Sequence, residues 1–148
     1  MNMLDRRDLG ILIVDDNDIS RSMLRHILNS EAFNVIGEAS SGVIALDWLE
    51  KTIPEIVCLD VMMPDISGLE ILEHIKSVSP ETVVLMVTGS NNRDTVVKAI
   101  KAGANGFIVK PFNPATLLQS MHYAVNKSQK QLKTMIDRRK AWKNSGLI

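Results

Sequence analysis

The sequence predicts an α/β fold: a doubly wound, five-stranded, all-parallel sheet with helices on both faces and an extended C-terminal helix. Three observations carry this. Short apolar runs alternate five times with segments of helical period within the first 126 residues. Most of these runs are apolar throughout, as strands covered on both faces must be. Acidic, hydroxyl and amine side chains follow the runs directly, where the carboxyl ends of parallel strands gather a ligand site. Right-handed crossovers leave only a few strand orders, and 2-1-3-4-5 is the one expected.

The elements follow in order. "GILIV" (10–14) reads as the first strand, and "DISRSMLRHILNS" as a helix with Ile19, Met23, Ile27 and Leu28 at helical spacing. "FNVIGEAS" alternates like a strand, and "VIALDWLEK" is helical with Ile44, Leu46 and Leu49 apolar. "EIVCLD" is a buried strand, and "GLEILEHIKSV" puts Leu69, Leu72, Ile75 and Val78 on one stripe. "TVVLMV" is a β-branched strand, and "DTVVKAIKAG" a helix ending at Gly103, a left-handed C′ position. "NGFIVK" is the last strand. From Pro114 the chain reads as helix, with no Gly or Pro between Ala115 and Ser145 to break it.

At 148 residues, with 45% hydrophobic and 23% charged residues, the chain has the composition of one ordinary globular domain. It contains neither a membrane-length apolar run nor a secretory signal. The single cysteine, Cys58, lies inside an apolar run and reads as a small core residue. A lone cysteine allows no internal disulfide and fits a cytoplasmic setting. His26, His74 and His122 fall on separate helices with no metal-ligand spacing.

Asp15, Asp16 and Asp18 follow the first strand, and Asp60 ends the third. Thr88, with Gly89 and Ser90 after it, ends the fourth, and Lys110 ends the fifth. In the order 2-1-3-4-5 the switch point falls between strands one and three, which sets Asp15 and Asp16 beside Asp60. Crowded carboxylates repel and raise one another's pKa unless a cation neutralises them. Magnesium, a hard cation that takes oxygen ligands, suits the site. An aspartate can also act as a nucleophile and form an acyl phosphate. Phosphoryl transfer then needs in-line positioning and positive charge on the equatorial oxygens. Magnesium, Lys110 and the Thr88 hydroxyl would supply the polar contacts, with Asp60 as phosphoacceptor. Asp18 is expected to cap the first helix.

"ILIVDDN", "CLDVMMPDISG", "LMVTGS" and "GFIVKPF" together resemble the receiver domain of two-component response regulators, over residues 9–127. The resemblance implies the flavodoxin-like order 2-1-3-4-5 and phosphorylation of Asp60 by a histidine kinase or phosphotransfer protein. It implies magnesium held by Asp16 and Asp60, by Asp15 through water, and by the backbone carbonyl of Met62. Thr88 would move toward the phosphate, Lys110 would pair with the phosphorylated carboxylate, and Phe107 would be the switch aromatic. The surface of helix four, strand five and helix five would relay the change to a downstream protein or output domain. Pro111 stands where the family often has a cis lysine–proline bond, and Met62 and Ser90 flank the site where it tunes phosphoryl lifetime. Such a domain is a signalling phosphoacceptor, catalysing only its own phosphorylation and slow dephosphorylation.

Rival readings are weaker on the residues. A magnesium-dependent phosphatase of the haloacid-dehalogenase type needs an acid two residues after the nucleophile, where Met62 stands. A dinucleotide fold needs a glycine-rich loop after a strand, and there is none. An inert pseudo-receiver would be expected to lack at least one of Asp15, Asp16, Asp60, Thr88 and Lys110, and all are present.

Residues 128–148 form a basic helical C-terminal extension or linker. Residues 127–148 hold seven bases and one acid, and the first 126 hold ten bases and sixteen acids. Leu118, Met121, Val125, Ser128, Leu132, Met135, Arg139 and Trp142 recur at heptad spacing. The tail reads as a helix pairing two receivers, as a linker to an output domain, or as a basic arm. The first implies a homodimer in which each tail packs at least partly on the other subunit, with Trp142 in the contact. The stretch "DRRKAWK" is too short for a nucleic-acid-reading fold.

Overall fold

Apolar, β-branched runs bury best as central strands of a sheet with helices on both faces. In the computed structural model, which describes residues 4–89 and 92–146, the runs do this. The strands are β1 (Gly10–Val14), β2 (Asn34–Ala39), β3 (Ile56–Asp60), β4 (Val83–Thr88) and β5 (Gly106–Val109). They form one parallel sheet in the order β2-β1-β3-β4-β5. The helices are α1 (Asp18–Ser30), α2 (Gly42–Lys51), α3 (Gly68–Val78), α4 (Arg93–Lys101), α5 (Pro114–Lys127) and α6 (Gln129–Asn144). A 3₁₀ turn, Arg6–Asp8, leads into β1.

Side chains alternate across a strand, so the sheet separates two core layers. Ile11, Ile13, Cys58, Leu85 and Ile108 pack with Leu24 of α1 and Leu117 and Met121 of α5. Leu12, Val14, Val57, Leu59 and Met86 pack with Ala45, Ile71, Leu72 and Ala99 of α2, α3 and α4. Burial pushes the Cys58 thiol up to about 12, so it serves as a core group. Gly103 sits past the end of α4 with φ +101°, as expected.

The helical stripes have the expected period and a different phase. α1 buries Leu24, Ile27 and Leu28, while Ile19 and Met23 are exposed. α2 buries Ala45 and leaves Ile44 exposed, and α3 buries Ile71, Leu72 and Ile75 and leaves Val78 exposed. Spacing of three and four identifies a helix, but its phase depends on where the sheet beneath it ends. The cap of α1 also moves by one residue. Asn17 accepts the Ser20 N–H at 2.8 Å, and Asp18 is the first helical residue, ion-paired to Arg21 at 2.6 Å. Asp18 still suits the positive end of the helix.

The largest correction concerns the tail. The expected continuous helix breaks at Ser128 (φ −112°, ψ 18°), and α6 packs beneath the N-terminal edge of its own sheet. Leu132 and Met135, expected on a heptad stripe toward a second subunit, are buried with Ile136 in the α1/α5 core layer of their own chain. Each such side chain stabilises by about 1.5–3 kcal/mol, which outweighs one interrupted turn. The basic residues find acids in the same chain. Arg139 lies 2.6 Å from Glu55 Oε1 and Lys140 3.1 Å from Asp8 Oδ2, while Gln131 Nε2 donates to the Glu81 carbonyl at 2.9 Å. Glu55, only 2% exposed, also accepts the Gly10 N–H at 2.7 Å. Leu132 and Met135 are therefore not available to a coiled-coil seam, and of the expected contact residues Trp142 alone remains at the surface.

Arg139→Ala leaves the buried Glu55 carboxylate without its counter-charge. Because the arginine itself is partly solvated, a loss of roughly 2 kcal/mol is expected, below the 3–5 typical of a fully buried pair. Urea unfolding measures it. The double variant Arg139→Ala/Glu55→Gln should lose less than the two single losses added together.

Candidate functional site

The parallel sheet brings the carboxyl ends of β1, β3, β4 and β5 to one edge. Asp15 directly follows β1, and Asp60 and Thr88 are the last residues of β3 and β4. All three are buried, while Asp16 is exposed. Lys110 follows β5, with its N–H donating to the Thr88 carbonyl at 2.8 Å, so β4 sets the point from which its side chain reaches inward. The Lys110–Pro111 peptide bond is cis. Lys110 Nζ lies 3.0 Å from Asp15 Oδ2 and 3.4 Å from Asp60 Oδ2.

The other carboxylate oxygens are held by the backbone. Asp15 Oδ1 accepts the Asn17 N–H at 2.9 Å, and Asp60 Oδ1 accepts the Met62 N–H at 3.1 Å. Burial pushes the Asp60 carboxyl up to about 6. The Met62 N–H and Lys110 pull it down, and the nearby Asp15 adds to the rise. Burial disfavours charge on Lys110 as well, but the Asp15 and Asp60 carboxylates outweigh it and its pKa is raised.

One oxygen each from Asp15, Asp16 and Asp60 can lie within 4.8 Å of the others, the only such group of metal-ligating side chains among the described residues. Asp15 Oδ2 is buried, and its contact with Lys110 lacks the direction of a hydrogen bond. An acceptor-only, all-oxygen donor set with an under-used buried oxygen fits a hard divalent cation such as magnesium. The histidines stand outside this group: His122 Nε2 lies 2.8 Å from Arg6 Nη2, far along the chain from it.

The expected residues therefore converge, with differences of detail. Met62 meets Asp60 through its N–H, and its side chain is exposed. Phe107 lies opposite Met86 on β5, partly buried against the α2/α3/α4 core layer. Ser90 lies outside the described residues.

Three further residues shape this edge: Gly68, expected to shape the loop after Asp60, and Asp65 and Arg21, which had no clear sequence signal. Gly68 donates its N–H to the Val61 carbonyl at 2.9 Å, and a Cβ there would overlap the Asp60 carbonyl oxygen and come within 2.8 Å of Val61 Cα. Only glycine lets α3 start this close to the nucleophile's backbone. Asp65 accepts the Val43 N–H at 2.9 Å and the Gly42 N–H at 3.0 Å. Those bonds hold its carboxyl below the usual carboxylate range and tie the loop after Asp60 to α2. Arg21 donates to the Asp15 carbonyl at 2.8 Å and pairs with Glu38 at 3.3 Å, bracing the acidic loop against β2. Glycine and aspartate suit any loop, and the partners of Asp65 and Arg21 appear only once the sheet is assembled.

With this geometry in hand, comparison with known proteins is specific. Residues 11–122 match the family model described as the response regulator receiver domain. The chain is 39% identical over 116 residues to the chemotaxis protein CheY of Listeria monocytogenes, covering 78% of this chain and 98% of that protein. It is 34% identical over 112 residues to CheY of Thermotoga maritima, covering 76% and 93%. Among solved structures, a CheY-like response regulator receiver domain protein from Methanospirillum hungatei superposes with a TM-score of 0.77 at 30% identity, covering 82% of this chain and 97% of that one. The fold, the acidic pocket and these matches agree, and the chain belongs to the response regulator receiver family.

Proposed function

We propose that Asp60 accepts a phosphoryl group from a phosphohistidine on a histidine kinase or phosphotransfer protein and that the chain relays the signal by a change of surface. The observation that carries this is the meeting of three carboxylates with Lys110 at one strand-end edge, with Asp60 buried but open to chemistry through its site. An Asp60 oxygen attacks phosphorus, an O–P bond forms, and the P–N bond to imidazole breaks. The imidazole leaves with the bond pair and is protonated from solvent. Lys110, kept cationic, faces the oxygen that becomes more negative, and the Thr88 hydroxyl supplies a further contact. Asp15, Asp16, Asp60 and the Met62 carbonyl would hold magnesium, which when bound adds positive charge beside the transferring group.

Relay follows from what surrounds Lys110. Its backbone is bonded to β4, and the partly buried Phe107 stands three residues earlier on β5. A phosphoryl group drawing in Thr88 and Lys110 biases the face of α4, β5 and α5. The exposed Ile100, Val109 and Tyr123 there can meet a partner. The chain acts by binding rather than by turning over a substrate. No helix among the described residues is long and apolar enough to cross a membrane, and we assign the chain to the cytoplasm, where its phosphodonor would act.

Incubation with acetyl phosphate and magnesium should add the mass of one phosphoryl group to the wild type and none to Asp60→Asn. Equal labelling of both would remove Asp60 as acceptor.

The acidity of Asp60 gives a pH test. Its folded pKa, about 6, lies above the ordinary value of 3.8, so the folded state favours the protonated form. This contribution to stability is present at low pH and declines as pH rises through that window. In magnesium-free buffer the Asp60 carboxyl ¹³C resonance should titrate near the upper value. Magnesium, which competes with the proton, should move the midpoint down. A midpoint at the ordinary value without metal would contradict the burial argument.

With magnesium and beryllofluoride, the amide resonances of Thr88, Gly89 and Phe107 should shift together with the face from Arg93 to Asn126. In Lys110→Ala some phosphorylation should persist while the distant shifts are lost. Unchanged resonances on that face with ligand bound would sink the relay.

A further inference from the structure

The loop from Met62 to Ser67 joins β3 to α3, and its first residue is part of the site, because the Met62 N–H donates to Asp60 Oδ1 at 3.1 Å. Little else holds this loop. Met63 and Ile66 are partly buried against the α2/α3/α4 core layer, while Met62, Pro64 and Asp65 are exposed. Among the described residues, the hydrogen bonds of the Asp65 carboxylate are the only ones that tie residues 63–66 to another element.

Those bonds end at the start of α2, where the first N–H groups have no partner within the helix. Asp65 Oδ1 accepts the Gly42 N–H at 3.0 Å, and Oδ2 accepts the Val43 N–H at 2.9 Å. Ser41 Oγ accepts the Ile44 N–H at 3.2 Å. Two caps thus divide the open end of the helix, one local and one supplied by the loop after Asp60. An acid suits the task, since it offers two acceptor oxygens and its charge is favoured at a helix N-terminus. The contact is also tight: a Cβ on Gly42 would come within 2.6 Å of Ile66 Cβ. The helix is itself fixed to the sheet, with Ala45 buried and Trp48 Nε1 donating to the Glu38 carbonyl of β2 at 3.2 Å. A line of contacts therefore runs from β2 through α2 and Asp65 to the peptide that holds Asp60.

We propose that Asp65 is a positioning residue for Asp60: bonded to the first turn of α2, it sets the course of the loop and so fixes the one peptide group, Met62, on which the Asp60 carboxylate and the proposed magnesium both depend. The metal half of this rests on the reading of the site given above, and the contact between Met62 and Asp60 does not.

Amide hydrogen exchange and magnesium titration, both followed by NMR on the full chain, test it. In metal-free protein Asp65→Ala should speed exchange of the Met62 N–H on the order of tenfold. It should also weaken magnesium binding about tenfold, the lower end of what the loss of an outer partner costs a metal site. Asp65→Asn, which keeps one acceptor oxygen, should fall between Asp65→Ala and the wild type in both. The two variants remove the same charge, so the difference between them reads the hydrogen bonds. Ser41→Ala removes the other cap of the same helix end. It should lower the melting temperature and leave Met62 exchange and magnesium affinity at their wild-type values. Exchange of Met62 at the wild-type rate in Asp65→Ala overturns the proposal. So does an equal acceleration in Ser41→Ala, which would make Asp65 a helix cap and nothing more. A wild type that binds no magnesium would refute the metal reading of the site and that half of the proposal, while the exchange rates would still decide the placement of Met62.

Discussion

Two buried carboxylates, Asp15 and Asp60, share one ammonium group, with Lys110 Nζ at 3.0 and 3.4 Å. An ionised acid out of water is costly unless paired and hydrogen-bonded. Nearly every local feature of this edge reduces that cost. The Met62 and Asn17 N–H groups bind one oxygen of each acid. Arg21 fixes the backbone of Asp15, β4 fixes that of Lys110, and Gly68 lets α3 close over the Asp60 peptide. The compensation is incomplete, and the residual cost appears as the raised pKa of Asp60. Added charge, positive as a metal or more negative as a phosphoryl group on Asp60, would therefore change the balance of forces at the ends of the strands.

The opposite edge has its own buried acid, and there the balance is met within the chain. Glu55 is paired by Arg139 and by the Gly10 N–H, and α6 closes the core layer beneath it. The family match stops at residue 122, so this helix is an addition to the common domain. It stabilises the N-terminal edge and leaves the phosphoryl edge untouched. Its outer residues line a groove with the ends of α2 and α3. One edge thus leaves its charges under-compensated, and the other matches them within the chain.

Much of this was legible in the chain itself. Runs such as Ile56–Leu59, apolar throughout, require a sheet covered on both faces, and the regular alternation of runs and helices requires parallel crossovers. Once that sheet exists, residues at the ends of its strands must meet, so Asp15, Asp16, Asp60, Thr88 and Lys110 could be assembled from their positions alone. Local chemistry was equally direct at Gly103, where a left-handed turn follows the last helical residue. What the tertiary structure alone decided was anything that depends on the neighbour across a gap. The helical phase that buries Leu24 but exposes Ile19, the Asp65 bonds to α2, the close approach at Gly68, and the turn at Ser128 that returns α6 to its own body all belong here. Periodicity records which residues are apolar at what spacing, and it does so without direction. A stripe such as Leu132, Met135 and Trp142 is equally satisfied by another subunit or by the chain's own core. The choice fell to Glu55 and Asp8, acids far back in the sequence whose position under the sheet draws Arg139 and Lys140 inward.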